Sequence, residues 1–239
     1  MQTQNHNPNV YHIIKQIDPL QDGISSVELI RVSGSDLDIA NAARVSYGKI
    51  SHELNDKDKK LIRFLMLNDH TSPFEHTQLS FRIKCPMFVA RQWMRHRMHS
   101  YNEISYRYAE APIEFYVPKN WRYQHQINHQ ASEGSFENEL IKQNYIKSIE
   151  KAVQTYKDAL EAGVCRELAR GILPVCIYTQ FIFTTNLHAL THFLKLRLDK
   201  GAQWEIQQYA KAMLSMSVEY FPAALEAWKE KNNLDIDIF

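Results

Sequence analysis

The chain has 239 residues, 44% of them hydrophobic and 23% charged, and its formal net charge is +1. This composition is that of a globular protein with room for one sizeable domain, and a near-neutral chain has no general affinity for nucleic acid or anionic membranes. Cys85, Cys165 and Cys176 stand far apart without a CxxC pair, which argues against a disulfide framework or a zinc ribbon. No apolar run reaches the roughly 18 residues that a membrane span needs, so we expect a cytoplasmic protein with reduced thiols.

The first half of the chain predicts strands and helices in alternation. In chain order the segments are a leader at 1–20 that frays or lies over the body, a strand at 26–34, a helix at 35–48, a charged turn at 55–60, a helix at 61–69, a loop at 70–76 and a strand at 77–85. Ser35 and Gly48 supply the start and stop signals of the first helix. Pro86 suits the first turn of the next helix.

The second half is mainly helical by its apolar spacing. Its predicted segments are a helix at 87–99, a loop at 109–138, a helix at 139–162, a short helix at 166–174, a strand at 176–186 and a helical region from 187 to about 231. Gly201 and Pro222 should interrupt that last region. We find no internal repeat or linker, so the sequence predicts one α+β domain over 1–239.

The stretch RQWMRHRMHSYNEISYRY (91–108) concentrates cationic and aromatic side chains in an almost neutral chain. A helix over 87–99 would carry on one side Met87, Val89, Ala90, Trp93, Met94 and Met98. It would carry on the other Arg91, Gln92, Arg95, His96 and His99. Arg97 falls among the apolar residues, and so does Arg197 on a helix over 187–199.

A buried guanidinium must meet an anion, an internal acid or another subunit. The alternative is that each helix ends early, or that the arginine extends past the core to water. Two such arginines beside histidines and aromatic residues favour a shared anionic ligand, because arginine suits phosphates and the edges of planar rings.

Other patterns are weaker. His188 and His192 have the i, i+4 spacing of metal ligands, but no HExxH motif is present, so we predict no metal. Ser105 lacks the strained G-x-S-x-G turn of a serine hydrolase, and no cysteine has an evident activating histidine. Glycine-rich phosphate loops are missing too, so a bound nucleotide would be held by side chains.

Residues 95–107, RHRMHSYNEISYR, match in full the thirteen-residue signature R-H-R-x-x-S-x-N-E-x-S-x-R. By this signature the chain resembles the flavin-dependent thymidylate synthases. Further similar blocks are NAARVSYG, SPFEHTQLSFRIKCPMFVARQW, VCRELARGILP and LKLRLDKGAQWEIQQYA. The resemblance covers most of 27–215 and leaves out the leader, a predicted loop at 119–140 and the last twenty residues.

The resemblance implies an enzyme that converts dUMP to dTMP without a protein nucleophile. Methylenetetrahydrofolate would give the carbon, and FAD reduced by NADPH would give the hydride. The implied fold is a central antiparallel-type sheet flanked by helices, with a long C-terminal helical region. The implied assembly is a homotetramer whose active sites are each built from several subunits. Its expected partners are small molecules, with no nucleic-acid polymer and no membrane.

The same resemblance assigns roles residue by residue. The implied dUMP residues are Gln92, Trp93, Met94, Arg95, Glu103, Ile104, Ser105, Tyr106, Arg107, Arg170 and Arg197. The implied FAD residues are Ser46, Ser72, Glu75, Arg95, His96, Arg97, Met98, Glu103, Asn186, Leu187, His188 and His192. His70 would lie near the flavin and folate. Arg197 would be the catalytic residue, a cation that favours the ionised uracil ring.

Two positions depart from the pattern of some members: His188 stands where others carry arginine, and His192 stands where asparagine occurs. Two rival functions follow from the residues alone. One is a single-stranded nucleic-acid-binding module that uses 91–108 as a basic stacking surface. The other is a metal-dependent hydrolase built on the histidines. The low net charge and the lack of basic runs elsewhere count against the first.

Overall fold

Antiparallel strands form the central sheet of the computed structural model, which describes residues 10–11, 15–110, 113–127 and 131–234. The strands are β1 (Val10–Tyr11), β2 (Lys15–Ile17), β3 (Ser26–Ser33), β4 (Gln78–Pro86), β5 (Ser100–Glu103), β6 (Tyr123–Gln124), β7 (Ser132–Glu133) and β8 (Tyr178–Thr185). The helices are α1 (Asp36–Arg44), α2 (Asp56–Leu67), α3 (Met87–Trp93), α4 (Glu139–Glu161), α5 (Arg166–Ala169), α6 (Leu187–Arg197), α7 (Trp204–Ser217) and α8 (Pro222–Asn232).

The sheet has the strand order β1-β3-β4-β8-β5, and β2 pairs with β3 as well. All of these pairings are antiparallel. β6 and β7 form a separate two-stranded hairpin. The predicted α+β class, antiparallel sheet and C-terminal helical region are therefore confirmed.

One face of the sheet carries the core. Phe81 of β4 pairs with Phe183 of β8, and Ile83 pairs with Phe181. All four side chains are at most 1% exposed, and they share one buried cluster with residues of α3, α6, α7 and α8. Alternation along β4 turns Arg82 to the opposite face. Helices α3, α6, α7 and α8 therefore pack against the face of the sheet that carries Phe81 and Phe183.

Two sequence predictions about helix starts are corrected by the structure. The charged stretch 55–60 was predicted as a turn, but it forms the first turns of α2. Asn55 accepts hydrogen bonds from the backbone of Lys57 and Asp58, and the Asp58 side chain accepts one from the Asn55 backbone. This reciprocal capping box stabilises a helix start in a polar stretch. Pro86 ends β4 instead of occupying the first turn of α3.

The helix predicted over 87–99 is wrong beyond Trp93. α3 ends there, and Ser100–Glu103 pair with β8 as the edge strand β5. The chain must reverse between these two elements, so the helical projection does not apply after Met94. Strand pairing with β8 outweighs the local apolar spacing, which is the usual reason that such a pattern misleads.

The C-terminal interruptions fall where the sequence places them. α6 ends before Gly201, and Pro222 is the first residue of α8. No helix among the described residues is long and apolar enough to cross a membrane.

The described part of the predicted leader lies over the body, because Lys15–Ile17 pair with β3. Residues 1–9 and 12–14 lie outside the described residues. The stretch 119–140, predicted as a loop, contains the short strands β6 and β7. Helix α4 begins at Glu139, just before the predicted end of that loop at 140. Residues 128–130 of this stretch are not among those described.

Candidate active site

Arg197 is the last residue of α6, and its guanidinium is half-buried against α3. Its Nε donates to Nε2 of His96 at 2.9 Å, and its Nη2 donates to the backbone carbonyl of Gln92 at 3.0 Å. Both acceptors are neutral. Burial lowers the pKa of Arg197 below its ordinary value, but arginine keeps its proton at any physiological pH. The chain therefore holds a full positive charge, only partly hydrated and not neutralised by these two contacts.

Three imidazole rings lie beside this cation. The His96 ring centroid is 6.2 Å from that of His99 and 6.1 Å from that of His192. Burial, and then the positive charge of Arg197, lower the pKa of His96 to about 4. Burial also lowers the pKa of His99 to about 4, and its Nδ1 lies 2.8 Å from Thr185 Oγ1. His96 is therefore neutral at pH 7, as its role of acceptor from Arg197 requires.

A buried aromatic cluster packs against the His96 ring. The Trp93 ring is fully buried, with its centroid 4.9 Å from Phe193 and 5.5 Å from Phe181. Phe193 in turn meets His96 edge-on at 4.9 Å. Such packing fixes the rotamers of the side chains above it. Trp93 was predicted to contact dUMP, but its buried side chain leaves only its backbone for that role.

Arg97 is exposed, which contradicts its projection onto an apolar helix side, because α3 has already ended. Met98, assigned to the same side, is 82% exposed, whereas His96, assigned to the polar side, is only 7% exposed. Within the described residues, no carboxylate lies within 4.0 Å of the charged nitrogens of Arg95 or Arg97. The turn between α3 and β5 therefore presents two unpaired guanidinium groups to solvent.

The rest of the signature continues along β5 and the turn after it. Glu103 is exposed, and its Oε1 accepts a hydrogen bond from Thr179 Oγ1 at 2.6 Å. Ser105 Oγ accepts from the backbone of Arg107 at 3.3 Å. The Arg107 guanidinium lies 3.4 Å from the carboxylate of Glu167. It lines an open cavity of about 550 Å³ between this turn and the loop before α5.

The predicted flavin residues Ser72 and Glu75 lie in a 3-10 turn that leads into β4, and both are exposed. This turn packs against α6. Asn186 caps α6, its side chain accepting from the backbone of Ala189 at 2.8 Å. His188 lines, with His192, a small cavity of about 150 Å³ between α2, α6 and α8.

Other predicted residues stand in different surroundings. Leu187 and Tyr106 are buried, and the Tyr106 hydroxyl donates to the Tyr178 carbonyl. Ile104 is 39% exposed, and His70 is exposed, with its ring edge-on to Phe64. The side chains of Ser46 and Arg170 are exposed. Among the described residues, no hydrogen bond or ion pair connects either of them with Arg197 or with its partners His96 and Gln92.

The two buried cysteines do not have activated thiols. Cys85 is fully buried, and burial raises its pKa well above the ordinary value. Burial raises the pKa of Cys176 as well. Cys165 is exposed and lines the cavity beside Arg107. The two buried thiols are therefore protonated at pH 7 and unsuited to nucleophilic attack.

Sequence reasoning missed three residues of this site. His99 packs beside His96, and Gln203 and Glu205 connect with Gln92 through hydrogen bonds. The signal for the last two was their place in the block LKLRLDKGAQWEIQQYA. Their roles depend on a contact between α3 and α7, which sequence spacing does not reveal.

Comparison with known proteins bears on this geometry. The family model described as thymidylate synthase complementing protein matches residues 28–223. A flavin-dependent thymidylate synthase of Thermus thermophilus is 47% identical over 204 residues, which cover 85% of this chain and 75% of that protein. The chain belongs to the flavin-dependent thymidylate synthase family. A relative of the same name from Thermotoga neapolitana is 44% identical over 208 residues, covering 84% of this chain and 89% of that one.

Solved structures agree with this membership. A UMP/dUMP methylase, PolB, from Streptomyces cacaoi, bound with 5-bromo-dUMP, has a TM-score of 0.81 and is 34% identical. The match covers 89% of this chain and 97% of that one. The same methylase bound with 5-bromo-UMP gives a TM-score of 0.76 and 33% identity, covering 88% and 96% of the two chains. Fold and family thus agree with the expectation from the signature.

Proposed function

We propose that this chain methylates dUMP to dTMP at the site around Arg197. The observation that carries the proposal is the half-buried guanidinium of Arg197, held by neutral partners in a member of the flavin-dependent thymidylate synthase family. Carbon 5 of uracil is a poor nucleophile. A cation fixed against the edge of the pyrimidine stabilises the negative charge that develops on the ring as carbon 5 attacks.

The chain's own residues favour this route over a covalent one. The fully buried Cys85 thiol is protonated, and Ser105 has no histidine hydrogen-bonded to its hydroxyl in the described residues. The Arg197 charge needs no proton transfer, and its two hydrogen bonds hold it before the substrate binds. The residues around Arg197 thus orient and polarise the pyrimidine.

The donor set fits a phosphate-bearing flavin. Arg95 and Arg97 have no acidic partner among the described residues, and each can donate to phosphate oxygens in the fork geometry that arginine favours. The N-terminus of α6, near Asn186, adds the partial positive charge of an eleven-residue helix. When bound, FAD supplies the hydride. Arg95, Arg97 and the helix start would hold its phosphates.

The co-substrates are part of the same proposal. Methylenetetrahydrofolate would supply the carbon and NADPH would reduce the flavin, and the exposed His70 is the residue that the family resemblance assigns to the flavin and folate. We place the enzyme in the cytoplasm as part of this proposal, because its three cysteines would stay reduced there. Cell fractionation with an antibody to the chain tests that location.

We further propose that the chain acts as a single domain and assembles as a homotetramer that shares its active sites. Among the described residues, no hydrogen bond or ion pair links Ser46 or Arg170 to Arg197, although all three are assigned to nucleotides. Neighbours of Ser46 are apolar and exposed, with Val45 at 74% and Tyr47 at 80%. Exposed apolar side chains of this size are typical of subunit contacts.

Co-expression of two inactive variants tests the sharing of sites. Arg197→Ala and Arg170→Ala should each have strongly reduced activity as pure oligomers. Mixed oligomers should regain a measurable fraction of wild-type activity if the two residues of one site come from different chains. Mixed oligomers without recovered activity would contradict this arrangement, and light scattering gives the number of subunits directly.

The visible spectrum of the purified protein tests the flavin. The proposal predicts flavin absorption bands that bleach when NADPH is added without oxygen. A colourless protein that takes up no added FAD would contradict the proposal. Retention of single-stranded RNA at moderate salt would support the rival nucleic-acid-binding module instead, and stoichiometric zinc or iron would support the metal-dependent hydrolase.

A further inference from the structure

Glu205 lies in the first turn of α7 and is only 2% exposed. Three groups donate hydrogen bonds to its carboxylate. The Tyr116 hydroxyl and Arg122 Nη2 reach Oε1 at 3.0 and 2.7 Å, and Gln203 Nε2 reaches Oε2 at 2.9 Å. A buried carboxylate with this many donors is held in one orientation.

The Glu205 carboxylate orients the side-chain amide of Gln203, which in turn orients that of Gln92. An ionised carboxylate only accepts hydrogen bonds, so Gln203 must turn its NH₂ toward Glu205. The Gln203 carbonyl oxygen then faces α3, where it accepts a hydrogen bond from Nε2 of Gln92. Gln92 thereby uses its amide nitrogen and keeps Oε1 as an acceptor for another group.

Gln92 is also in contact with Arg197, because its backbone carbonyl accepts from Arg197 Nη2 at 3.0 Å. One residue thus joins the buried carboxylate to the predicted catalytic cation. Gln92 is assigned to dUMP, whereas Gln203 and Glu205 have no assigned role.

We propose that Glu205 is a positioning residue for dUMP, acting through Gln203 to present Gln92 Oε1 as a hydrogen-bond acceptor beside Arg197. This inference rests on the proposed function. The donors that dUMP offers to such an acceptor are the ring N3–H and the ribose 3′-hydroxyl. A reversed Gln92 amide would present NH₂ to either donor and lose the hydrogen bond.

Arg122 provides a way to separate this role from a structural one. Its guanidinium pairs with Glu205 and also lies 5.3 Å from the Trp204 ring centroid. Arg122 anchors the segment before β6, but it is not one of the residues that orient the amide groups of Gln203 and Gln92. Loss of Arg122 should therefore change stability without reversing Gln92.

Three variants test the proposal by dUMP titration of the flavin-loaded enzyme and by thermal unfolding. Gln203→Leu removes the link between Glu205 and Gln92 but leaves the Arg122–Glu205 ion pair intact. It should weaken dUMP binding about tenfold, because the complex loses about one hydrogen bond. Glu205→Gln allows the amides to reverse and should weaken dUMP binding similarly. Arg122→Gln is the control, and it should lower Tm while dUMP affinity stays within twofold of wild type.

The exchange variant Glu205→Gln with Gln203→Glu supplies the rescue. It places an acceptor-only group next to Gln92 Nε2, so it should recover most of the dUMP affinity that Glu205→Gln loses. Wild-type affinity in Gln203→Leu would overturn the proposal even if Glu205→Gln fails to fold. An equal loss of affinity in Arg122→Gln would overturn it as well. Failure of wild-type enzyme to bind dUMP would instead overturn the proposed function.

Discussion

Arg197 and Arg97 carry the same guanidinium group and belong to the same predicted site, yet their surroundings are opposite. Arg197 is half-buried and donates to His96 and Gln92, above the aromatic cluster of Trp93. Arg97 is exposed in a turn and has no acidic partner among the described residues. The chain itself therefore holds in place the cation predicted to be catalytic, whereas the cations predicted to bind the cofactor have no acidic partner among the described residues.

The largest expected effect separates these two arginines by activity. Arg197→Ala should lower kcat/KM for dTMP formation by about 10²- to 10³-fold, as the loss of a fixed transition-state donor does. Flavin content and Tm should change little. Steady-state assay of flavin-loaded enzyme measures this, with Lys211→Ala, an exposed cation on α7, as the control. Near-wild-type turnover would show that the buried cation is not the one that matters.

The next effect should appear in the cofactor. Arg97→Ala should weaken FAD binding about 10- to 100-fold, the worth of a charge-assisted hydrogen bond to phosphate. The apo protein should keep its Tm, because Arg97 contacts no acidic group in the described part of the chain. Equilibrium titration with FAD checks this.

Arg91→Ala is the matched control, since Arg91 is exposed on α3 and lies outside the signature. Equal loss of FAD affinity in both variants would mean that Arg97 acts only through its positive charge and not through a specific contact with FAD. A lower apo Tm in Arg97→Ala would mean that the turn is already organised without ligand.

The pH dependence of stability probes the buried half alone. The folded pKa values of His96 and His99 are about 4, below the ordinary 6.5. The folded state therefore binds fewer protons than the unfolded state between these values. Stability should be complete above pH 6.5 and should fall by about 2 kcal/mol per histidine by pH 5.

Thermal unfolding between pH 7.5 and 4.5 measures this loss. His99→Gln should make the decline clearly shallower, because one of the two depressed groups is removed. An unchanged slope in that variant would assign the acid sensitivity to groups other than His99.

The smallest effect is expected at Cys165. Cys165→Ser should keep turnover within about twofold, since an exposed thiol away from Arg197 forms no covalent bond in this account. Labelling with iodoacetamide should modify Cys165 first in the wild type, because Cys85 and Cys176 are buried. Loss of turnover in folded Cys165→Ser enzyme would bring back a covalent mechanism.

The sequence predicted the family and the C-terminal helices better than the turn between α3 and β5. The signature at 95–107 identified the family, and the breaks at Gly201 and Pro222 located three C-terminal helices. Local spacing failed after Trp93, because β5 forms only where β8 offers a partner for Ser100–Glu103.

The buried network was also beyond sequence reasoning. Arg197 was correctly singled out as a cation on an apolar helix side, but its acceptors come from residues about a hundred positions earlier. Gln203 meets Gln92, and so connects it with Glu205, only because α3 and α7 pack together. Contacts between distant segments leave no periodic trace in a single chain.

Transfer of a labelled carbon tests the central claim most directly. Purified enzyme with FAD is given dUMP, NADPH and methylenetetrahydrofolate labelled with ¹³C in the methylene group, and the nucleotides are analysed by mass spectrometry. The account predicts dTMP one mass unit heavier than unlabelled dTMP, formed only when both flavin and NADPH are present. Unchanged dUMP after many expected turnovers, from folded flavin-loaded enzyme, would contradict it.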